Sequence, residues 1–470
     1  MEIYVVKAGD TFGTTAACRY ISKKETDLGE FKMSQSIGQK FTPLKLLKFA
    51  FPSMVMMVFM SLYQVVDGIF ISRLVGSRAL SAANIVYPPI SVLFAVGVMI
   101  ATGGSALVSK ELGEKKEKEA REDFTFLVVA GLVCSLLLMG IVVFSGDALY
   151  YLLGANKELI GYCREYLVIV MYFAPAAMLQ MIFQSFFVAA GKPHLGLAVT
   201  VLAGITNAVL DYVFMGIADM GIMGAALATG IGQVIPAVIG CIFFLQKNKE
   251  LHFCRFVPDF AKLGQACFNG ASEMVTNISN AVITYLFNII MMKLIGEDGV
   301  AAITIILYSQ FMFNSLYMGF SMGTAPVISF NYGAKNEEEV RKITKICKRF
   351  VIGSSIGVTI LSFLLADFVT MVFVTRGSAV YDLTVEGFIL FSISYLFSGY
   401  NIFTSSYFTA LSDGKTSALI SFSRTFVCIV ASLMILPQLW GIYGVWLAIP
   451  LAELVTVGLC IVCRKRAVRK

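Results

Sequence analysis

Charged residues are scarce in this sequence, and so are the residue patterns on which enzymes usually depend. The chain has 470 residues, of which 14% are charged and 57% are hydrophobic, whereas soluble proteins are about one-quarter charged. It has two histidines, His194 and His252, and both fall in predicted loops. No zinc-protease, phosphate-binding-loop or nucleophile-elbow motif occurs. These absences exclude an ordinary soluble protein and leave an enzyme, or a protein with a resident cofactor, without support.

Cysteine pairs that would indicate a metal site or a disulfide framework are also missing. The ten cysteines are scattered, and Cys460 and Cys463 alone form a CxxC spacing, within an apolar segment near the C-terminus. Isolated cysteines in apolar surroundings behave as small buried hydrophobic residues. We therefore expect no metal centre built from cysteine.

Long apolar runs dominate what the sequence does have. Runs of about 20 apolar residues are typical of transmembrane helices, and the stretch 124–145, for example, has a single acidic residue, Asp147, only after its end. The breaks between the runs predict twelve helices. Their approximate bounds are 46–72, 79–109, 122–145, 158–188, 195–217, 221–246, 264–292, 299–330, 340–367, 380–410, 416–437 and 441–463. The predicted fold class is an all-α polytopic membrane protein.

The distribution of lysine and arginine predicts the orientation of these helices. With a cytoplasmic N-terminus, 30 of the 37 basic residues fall in the tails and loops of the cytoplasmic side. Six fall on the opposite side, and Arg424 lies within a helix. The positive-inside rule then places both termini in the cytoplasm. The net charge of +7 is explained by topology, and we expect no nucleic-acid partner.

The chain divides into a tail and two halves. Residues 1–40 are polar and of mixed charge, which indicates a cytoplasmic N-terminal tail, although Met33 as the true start is an alternative for the first 32 residues. Residues 41–250 hold helices one to six and are predicted to form an N-lobe. Residues 251–470 hold helices seven to twelve and a short basic C-terminal tail, and are predicted to form a C-lobe.

The two halves repeat each other at a constant offset of 220 residues. RLVGSRALSAANI (73–85) aligns with KLIGEDGVAAITI (293–305), and GIMGAALA (221–228) aligns with GIYGVWLA (441–448). Because each half holds an even number of helices, both halves insert with the same orientation. The repeat predicts two six-helix bundles related by a pseudo-two-fold axis along the membrane normal, with a cleft between them. Such duplication is typical of alternating-access transporters, and a duplicated channel stays as an alternative.

Three motifs together resemble the multidrug and toxic compound extrusion (MATE) family over residues 41–465. They are SLYQVVDGIFISRLVGSRALSAANI (61–85), the turns GKP (191–193) and DGK (413–415), and NAVLDYVF (207–214) followed by GIMGAALAT (221–229). The resemblance implies a two-lobed antiporter in the cytoplasmic (inner or plasma) membrane. Such a protein exports small organic, often cationic, drugs in exchange for H⁺ or Na⁺, which is the only cofactor-like species expected. We expect it to act as a monomer surrounded by membrane lipid.

Polar residues at similar depth in three helices of the N-lobe form a candidate cation site. Asp67, Asp211 and Thr229 lie roughly 8–12 Å below the outer helix ends at 1.5 Å per residue, and Asn207 lies one turn deeper. A carboxylate within a membrane helix is costly and is usually functional. The resemblance assigns the same four positions to cation coupling, adds the backbone carbonyl of Ala225, and implies a Na⁺ site at Asp67, Asn207 and Thr229.

A second candidate lies in the seventh predicted helix. Glu273 falls near the middle of the membrane, with Asn269 and Asn277 one turn before and after it, so that the three form one polar stripe. These residues are candidates for the substrate cleft, with helix–helix hydrogen bonding as the alternative. The tenth predicted helix carries no acid in FILFSISYLFSGYNIF (388–403), which favours the N-lobe over the C-lobe as the cation site.

Arg424 and Glu453 are predicted to be a structural pair within the membrane. Counting from the helix ends, both lie about 12–14 Å from the inner face of a core roughly 30 Å thick. An unpaired arginine at that depth would be costly. A charge pair between the eleventh and twelfth helices resolves that cost.

Taken together, these observations predict a cation-coupled exporter that works by alternating access. A lipid-linked saccharide flippase is the first alternative, and it would need a basic central cleft to hold a pyrophosphate. A channel is the second, and it would need no cluster of carboxylates within one lobe.

Overall fold

The computed structural model describes residues 37–469, and these residues form long helices without a strand among them. The helices of the first half are α1 Pro43–Val75, α2 Ser77–Ile85, α3 Tyr87–Gly113, α4 Glu117–Phe144, α5 Gly146–Leu152, α6 Ile160–Tyr172, α7 Ala174–Ala189, α8 Pro193–Ile217 and α9 Gly221–Phe244. Those of the second half are α10 Phe260–Leu294, α11 Glu297–Gly333, α12 Glu337–Phe373, α13 Ala379–Ser392, α14 Tyr395–Ala410, α15 Gly414–Trp440 and α16 Ile442–Arg469. The predicted tail, residues 1–36 of it, lies outside the described residues.

The fourth and tenth predicted helices are each broken into two. α6 and α7 form one span bent by 52°, and so do α13 and α14. Pro175 explains the first break, because it stands at the start of α7 and cannot continue a hydrogen-bonded helix. The second break has no proline. There, the hydroxyl of Ser392 donates to the carbonyl of Phe388 at 2.7 Å, a bond that bends helices. With both bent pairs counted, the described chain has twelve candidate spans.

The two lobes contact each other through the halves of their helices nearest the chain ends. Twelve spans place both chain ends on one side of the membrane, here called the termini side. The first turns of α1, from Phe41 to Met54, pack in an apolar cluster with α11, α12 and α14 of the other lobe. Symmetrically, Leu263, Ala266 and Cys267 of α10 pack into the apolar core of the N-lobe. Each lobe therefore encloses the first turns of the other lobe's leading helix.

Glycines allow the helix backbones of the two lobes to touch on this side. A Cβ atom on Gly113 of α3 would lie 2.0 Å from the carbonyl oxygen of Phe330 in α11, and one on Gly333 would lie 2.0 Å from that of Lys110. The two contacts are the same contact seen from either lobe, because their residues differ by the repeat offset. α3 approaches α10 in the same way, where a Cβ on Gly103 would lie 1.9 Å from the carbonyl oxygen of Ala266. The structure is thus closed on the termini side.

An ion cluster joins the lobes at the same place. Lys262, in the first turn of α10, binds Glu111 of α3 and, at 2.7 Å, Asp123 of α4. Glu119 lies 3.8 Å from the same ammonium group. Lys262, Glu111 and Asp123 are called the interlobe ion cluster below. It links the C-lobe to two helices of the N-lobe.

The segment between the halves is fastened to the N-lobe. The side-chain Nε of Arg121 donates to the carbonyl of Glu250 at 2.7 Å, and the amide of Cys254 donates to the hydroxyl of Thr125 at 3.2 Å. Phe253 enters the aromatic part of the N-lobe core. The connection therefore lies along α4 on the termini side.

Candidate functional site

Three helices of the N-lobe bring the predicted cation-coupling residues together. Asp67 comes from α1, Asn207 and Asp211 from α8, and Thr229 from α9. Asp211 is fully buried, at 0% exposure, and Asn207 is 5% exposed. The carboxyl groups of Asp67 and Asp211 interact directly with each other. The spacing argument therefore places the two acids correctly as neighbours across α1 and α8.

Many polar atoms of this site have no hydrogen-bond partner within the described part of the chain. They are Asp67 Oδ1, both carboxyl oxygens of Asp211, Asn207 Nδ2, Thr229 Oγ1 and Gln233 Oε1. A buried polar atom without a partner costs free energy, so native structures rarely leave several together. Most of these atoms are oxygens, which are the ligands that hard cations prefer. The site has the composition of one that receives a proton, a cation or water.

Two carboxylates in contact cannot donate a hydrogen bond to each other while both are ionised. Their close approach is favourable only when one carries a proton or when a cation lies between them. Among the described residues, no group of three or more histidine, cysteine or acidic side chains could hold a metal ion. A monovalent cation would instead use the two carboxylates with the neutral oxygens of Thr229 and Gln233.

Sequence reasoning missed four members of this site. Gln233 stands one turn after Thr229 on α9 and is 8% exposed, so its helical spacing was the signal that could have found it. Gln180 of α7 hydrogen-bonds Tyr63 of α1, which is near Asp67. Tyr166 of α6 lies within electrostatic range of both Asp67 and Asp211. These three come from helices that carry no charge at this depth, so a search for charged residues overlooks them.

Ala225 lies fully buried one turn before Thr229, inside the regular part of α9. The glycine after Ile231 determines how closely α9 approaches α8, because a Cβ on Gly232 would lie 3.2 Å from the Cβ of Asn207. This packing brings the Thr229 face of α9 beside the Asn207 face of α8.

Each π-helical segment of the described chain adjoins a charged residue within the membrane. Ile71–Val75 begins four residues after Asp67, Tyr212–Ile217 begins directly after Asp211, and Ser423–Val427 contains Arg424. A π-helical turn inserts a residue into a helix and is frequent at functional sites. The three segments indicate that both lobes carry specialised sites.

In the C-lobe, the polar stripe of α10 does not point in one direction. The amide of Asn269 donates to the carbonyl of Thr409 in α14 at 2.8 Å, and that of Asn277 donates to the carbonyl of Glu273 at 2.9 Å. Both amides are thus used for helix packing or within α10. Glu273 is half-buried and interacts electrostatically with Arg424. Glu273 is therefore the member of the stripe whose charged group faces another helix.

The predicted contact between Arg424 and Glu453 is present. Arg424 Nε donates to Glu453 Oε1 at 2.8 Å, with side-chain exposures of 11% and 2%. Asn401 of α14 donates to Glu453 Oε2 at 2.7 Å and to the Glu453 carbonyl at 2.8 Å. Both oxygens of the buried carboxylate are satisfied, which reduces the cost of its burial. Asn401 is the part of this arrangement that the sequence prediction omitted.

Comparisons with known proteins agree with this fold and arrangement. The MatE family profile matches residues 52–213 and 274–434, one match in each lobe. The multidrug export protein MepA of Staphylococcus saprophyticus is 22% identical over 418 residues, covering 87% of this chain and 90% of that protein. MepA of Staphylococcus aureus is 23% identical over 417 residues, with the same coverage of both chains.

A solved structure shows the same architecture. The outward-facing conformation of a multidrug resistance MATE family transporter of the MOP superfamily has a TM-score of 0.84 and 21% sequence identity, and the likeness covers 93% of this chain and 98% of that one. It confirms the prediction of twelve helices in two lobes. With the family profile matching both lobes, the resemblance noted in the sequence is confirmed as well, and the chain belongs to the MatE family of membrane transporters.

Proposed function

We propose that this protein is a cation-coupled antiporter that exports organic, often cationic, drugs. The observation that carries the proposal is the contact between Asp67 and Asp211 in the N-lobe, with the oxygens of Asp211 buried and unpartnered. Within a membrane protein of this family, such a site needs a cation to be stable. The multidrug export function of the MepA relatives supports the choice of drugs as substrate.

The geometry supplies a reason for coupling. With a proton shared by the two carboxyl groups, or Na⁺ held by Asp67, Asn207 and Thr229, the cluster is electrically balanced and its polar atoms gain partners. When the ion leaves, two buried carboxylates face each other and repel. A cationic drug that enters the space between the lobes is attracted by that uncovered charge. Ion and drug therefore bind preferentially in alternate states, which is the requirement for exchange.

The orientation follows from the basic residues. The termini side holds most of the lysines and arginines, so we propose that it faces the cytoplasm and that the protein lies in the plasma membrane. The closed contact between the lobes on that side then corresponds to an outward-facing state. A flippase for lipid-linked saccharides is less well supported, because Arg424 is already engaged with Glu453. The protein is proposed to work as a monomer, since each lobe supplies one half of the cleft.

The decisive experiment is ethidium efflux from membrane vesicles under an imposed pH gradient or an imposed Na⁺ gradient, each applied alone. Wild type is compared with Asp211→Asn and with Asp219→Asn, an exposed aspartate just beyond the same helix. We expect one gradient to drive efflux, Asp211→Asn to abolish it and Asp219→Asn to leave it unchanged. Efflux that persists in Asp211→Asn would remove the N-lobe acids from coupling. Absence of gradient-driven efflux in wild type would refute the antiporter itself.

A further inference from the structure

Arg424 has a free edge that the structural ion pair does not use. Its Nε is bound to Glu453, and within the described residues its two terminal nitrogens form no hydrogen bond. Those nitrogens are also not enclosed, since they are absent from the buried polar atoms that lack a partner. A guanidinium presents a planar fork that suits a carboxylate. One face of this group is thus fixed by the protein, and the other is open to a ligand.

Glu273 presents the opposite charge to the same space. Its carboxylate interacts electrostatically with Arg424, yet among the described residues no ion pair within 4.0 Å joins the two. The carboxyl oxygens of Glu273 are neither hydrogen-bonded to the described chain nor enclosed. An acid and a guanidinium therefore stand on either side of a gap, both accessible and both without a direct partner.

The protein holds the two groups apart. Glu453 is 2% exposed and accepts bonds on both oxygens, from Arg424 and from Asn401 at 2.7 Å. This anchoring keeps the guanidinium on the α16 side, while Glu273 belongs to α10. Arg424 lies on the π-helical segment Ser423–Val427, which packs against α10. Direct collapse of Arg424 onto Glu273 would break the better-buried bond to Glu453.

We propose that Glu273 and Arg424 form a bipolar binding site for zwitterionic substrates, molecules that carry a positive charge and a carboxylate. The cationic end of such a molecule lies against Glu273, and its carboxylate accepts from the terminal nitrogens of Arg424. For a purely cationic substrate, Arg424 is a repulsive neighbour of Glu273. For a zwitterion, it becomes a second attachment. The inference rests on the proposed function as an exporter and names the residue that discriminates between two substrate classes.

The test uses rhodamine B, a zwitterion, and its ethyl ester, which has the same cationic ring system but no carboxylate. Efflux of both dyes is measured for wild type and for the double substitution Arg424→Gln with Glu453→Gln, which removes the ion pair without leaving a lone buried charge. A carboxylate–guanidinium contact contributes roughly tenfold or more in affinity. We expect rhodamine B efflux to fall at least about tenfold relative to the ester. Arg341→Gln, whose partner Glu337 is 80% exposed, serves as the control and should leave the ratio unchanged.

Three results would overturn the inference. They are an unchanged ratio in the double variant, an equal loss of both dyes, and a wild type that exports the ester but not rhodamine B. If wild type exports neither dye, the exporter proposal fails on its own, and calorimetric titration of both dyes into the purified wild type and double variant still decides whether Arg424 recognises the carboxylate. Glu273→Gln should weaken binding of both dyes, which distinguishes the two ends of the site.

Discussion

Replacing Lys262 with glutamine should open the closed contact between the lobes. Its ammonium group is 2.7 Å from Asp123 and also binds Glu111, and the side chains of these acids are 10% and 6% exposed. Removing one partner of a buried ion pair costs about 3–5 kcal/mol, and the 27% exposure of Lys262 places this cost nearer about 2–4 kcal/mol. Because the cluster exists only while the lobes are together on the termini side, the cost falls on the closed state.

A cost of about 2–4 kcal/mol shifts the equilibrium between closed and open states by about 30- to 900-fold. Spin labels on the exposed positions Lys116 and Glu338, one in each lobe, would report this shift as a longer interlobe distance. Lys118→Gln is the matched control, because Lys118 is 91% exposed and lies 3.7 Å from Glu122 within the same lobe. That substitution should leave the distance distribution unchanged.

Neutralising the acids as well provides the compensating variant. Lys262→Gln combined with Glu111→Gln and Asp123→Asn removes the uncovered charges, so it should return much of the population to the closed state. The reasoning is refuted if Lys262→Gln gives the same distances as Lys118→Gln. It is also refuted if the triple variant is as open as the single one, because loss of a lysine contact other than its charge would then be responsible.

Three further outcomes are expected, each checked by thermal unfolding of the purified protein. Gly113→Ala should destabilise it, because the new Cβ would lie 2.0 Å from a backbone carbonyl, whereas Gly353→Ala, with no atom within 4 Å, should be neutral or gain up to about 1 kcal/mol. Burial, and secondarily a nearby acid, raise the pKa of Glu250 from 4.5 to about 7. The folded protein then binds that proton more tightly than the unfolded chain, so this stabilisation is complete below pH 4.5 and is lost as pH rises to about 7. Wild type should become less stable than Glu250→Gln over that range. Arg424→Gln should cost about 3–5 kcal/mol by leaving Glu453 alone, and adding Glu453→Gln should recover most of it.

Each of these outcomes has a contrary result that would refute its premise. Equal behaviour of the two glycine variants would mean that the lobe backbones do not touch. A stability difference for Glu250→Gln that does not change with pH would mean that the acid is solvated. A double variant at Arg424 and Glu453 no better than the single one would mean that charge is not what the pair compensates.

Helix positions and the pairing of Arg424 with Glu453 could be predicted from the sequence because they depend on local quantities. Apolar run length sets the number of spans, and depth along two neighbouring helices shows which charges can meet. The break between α13 and α14 could not be predicted in this way. It has no proline, and a serine bonding back to its own helix gives no pattern that separates it from an unbroken span.

The interlobe ion cluster was hidden for a different reason. Lys262 stands in the first turn of a helix, where a lysine is usually solvated, and nothing local to it shows that two acids from the other half lie opposite. Asn269 illustrates the same limit. Its spacing from Glu273 places both on one stripe, but the stripe is wide enough for one residue to pack on α14 and the other to face Arg424. Contacts between segments distant in sequence decide these cases.

The mutual enclosure of α1 and α10 has a consequence for a half-length chain. A single half of this protein would leave the first turns of its leading helix exposed, along with the apolar groove made to receive them. Two copies of such a half could cover both surfaces only by exchanging those turns around a two-fold axis, which is an isologous interface. The pair of glycine contacts at Gly113 and Gly333, identical at 2.0 Å, retains the form of such an exchange. A separately expressed half should accordingly associate into a homodimer, and its affinity would measure how much of the interface has diverged since the halves were joined.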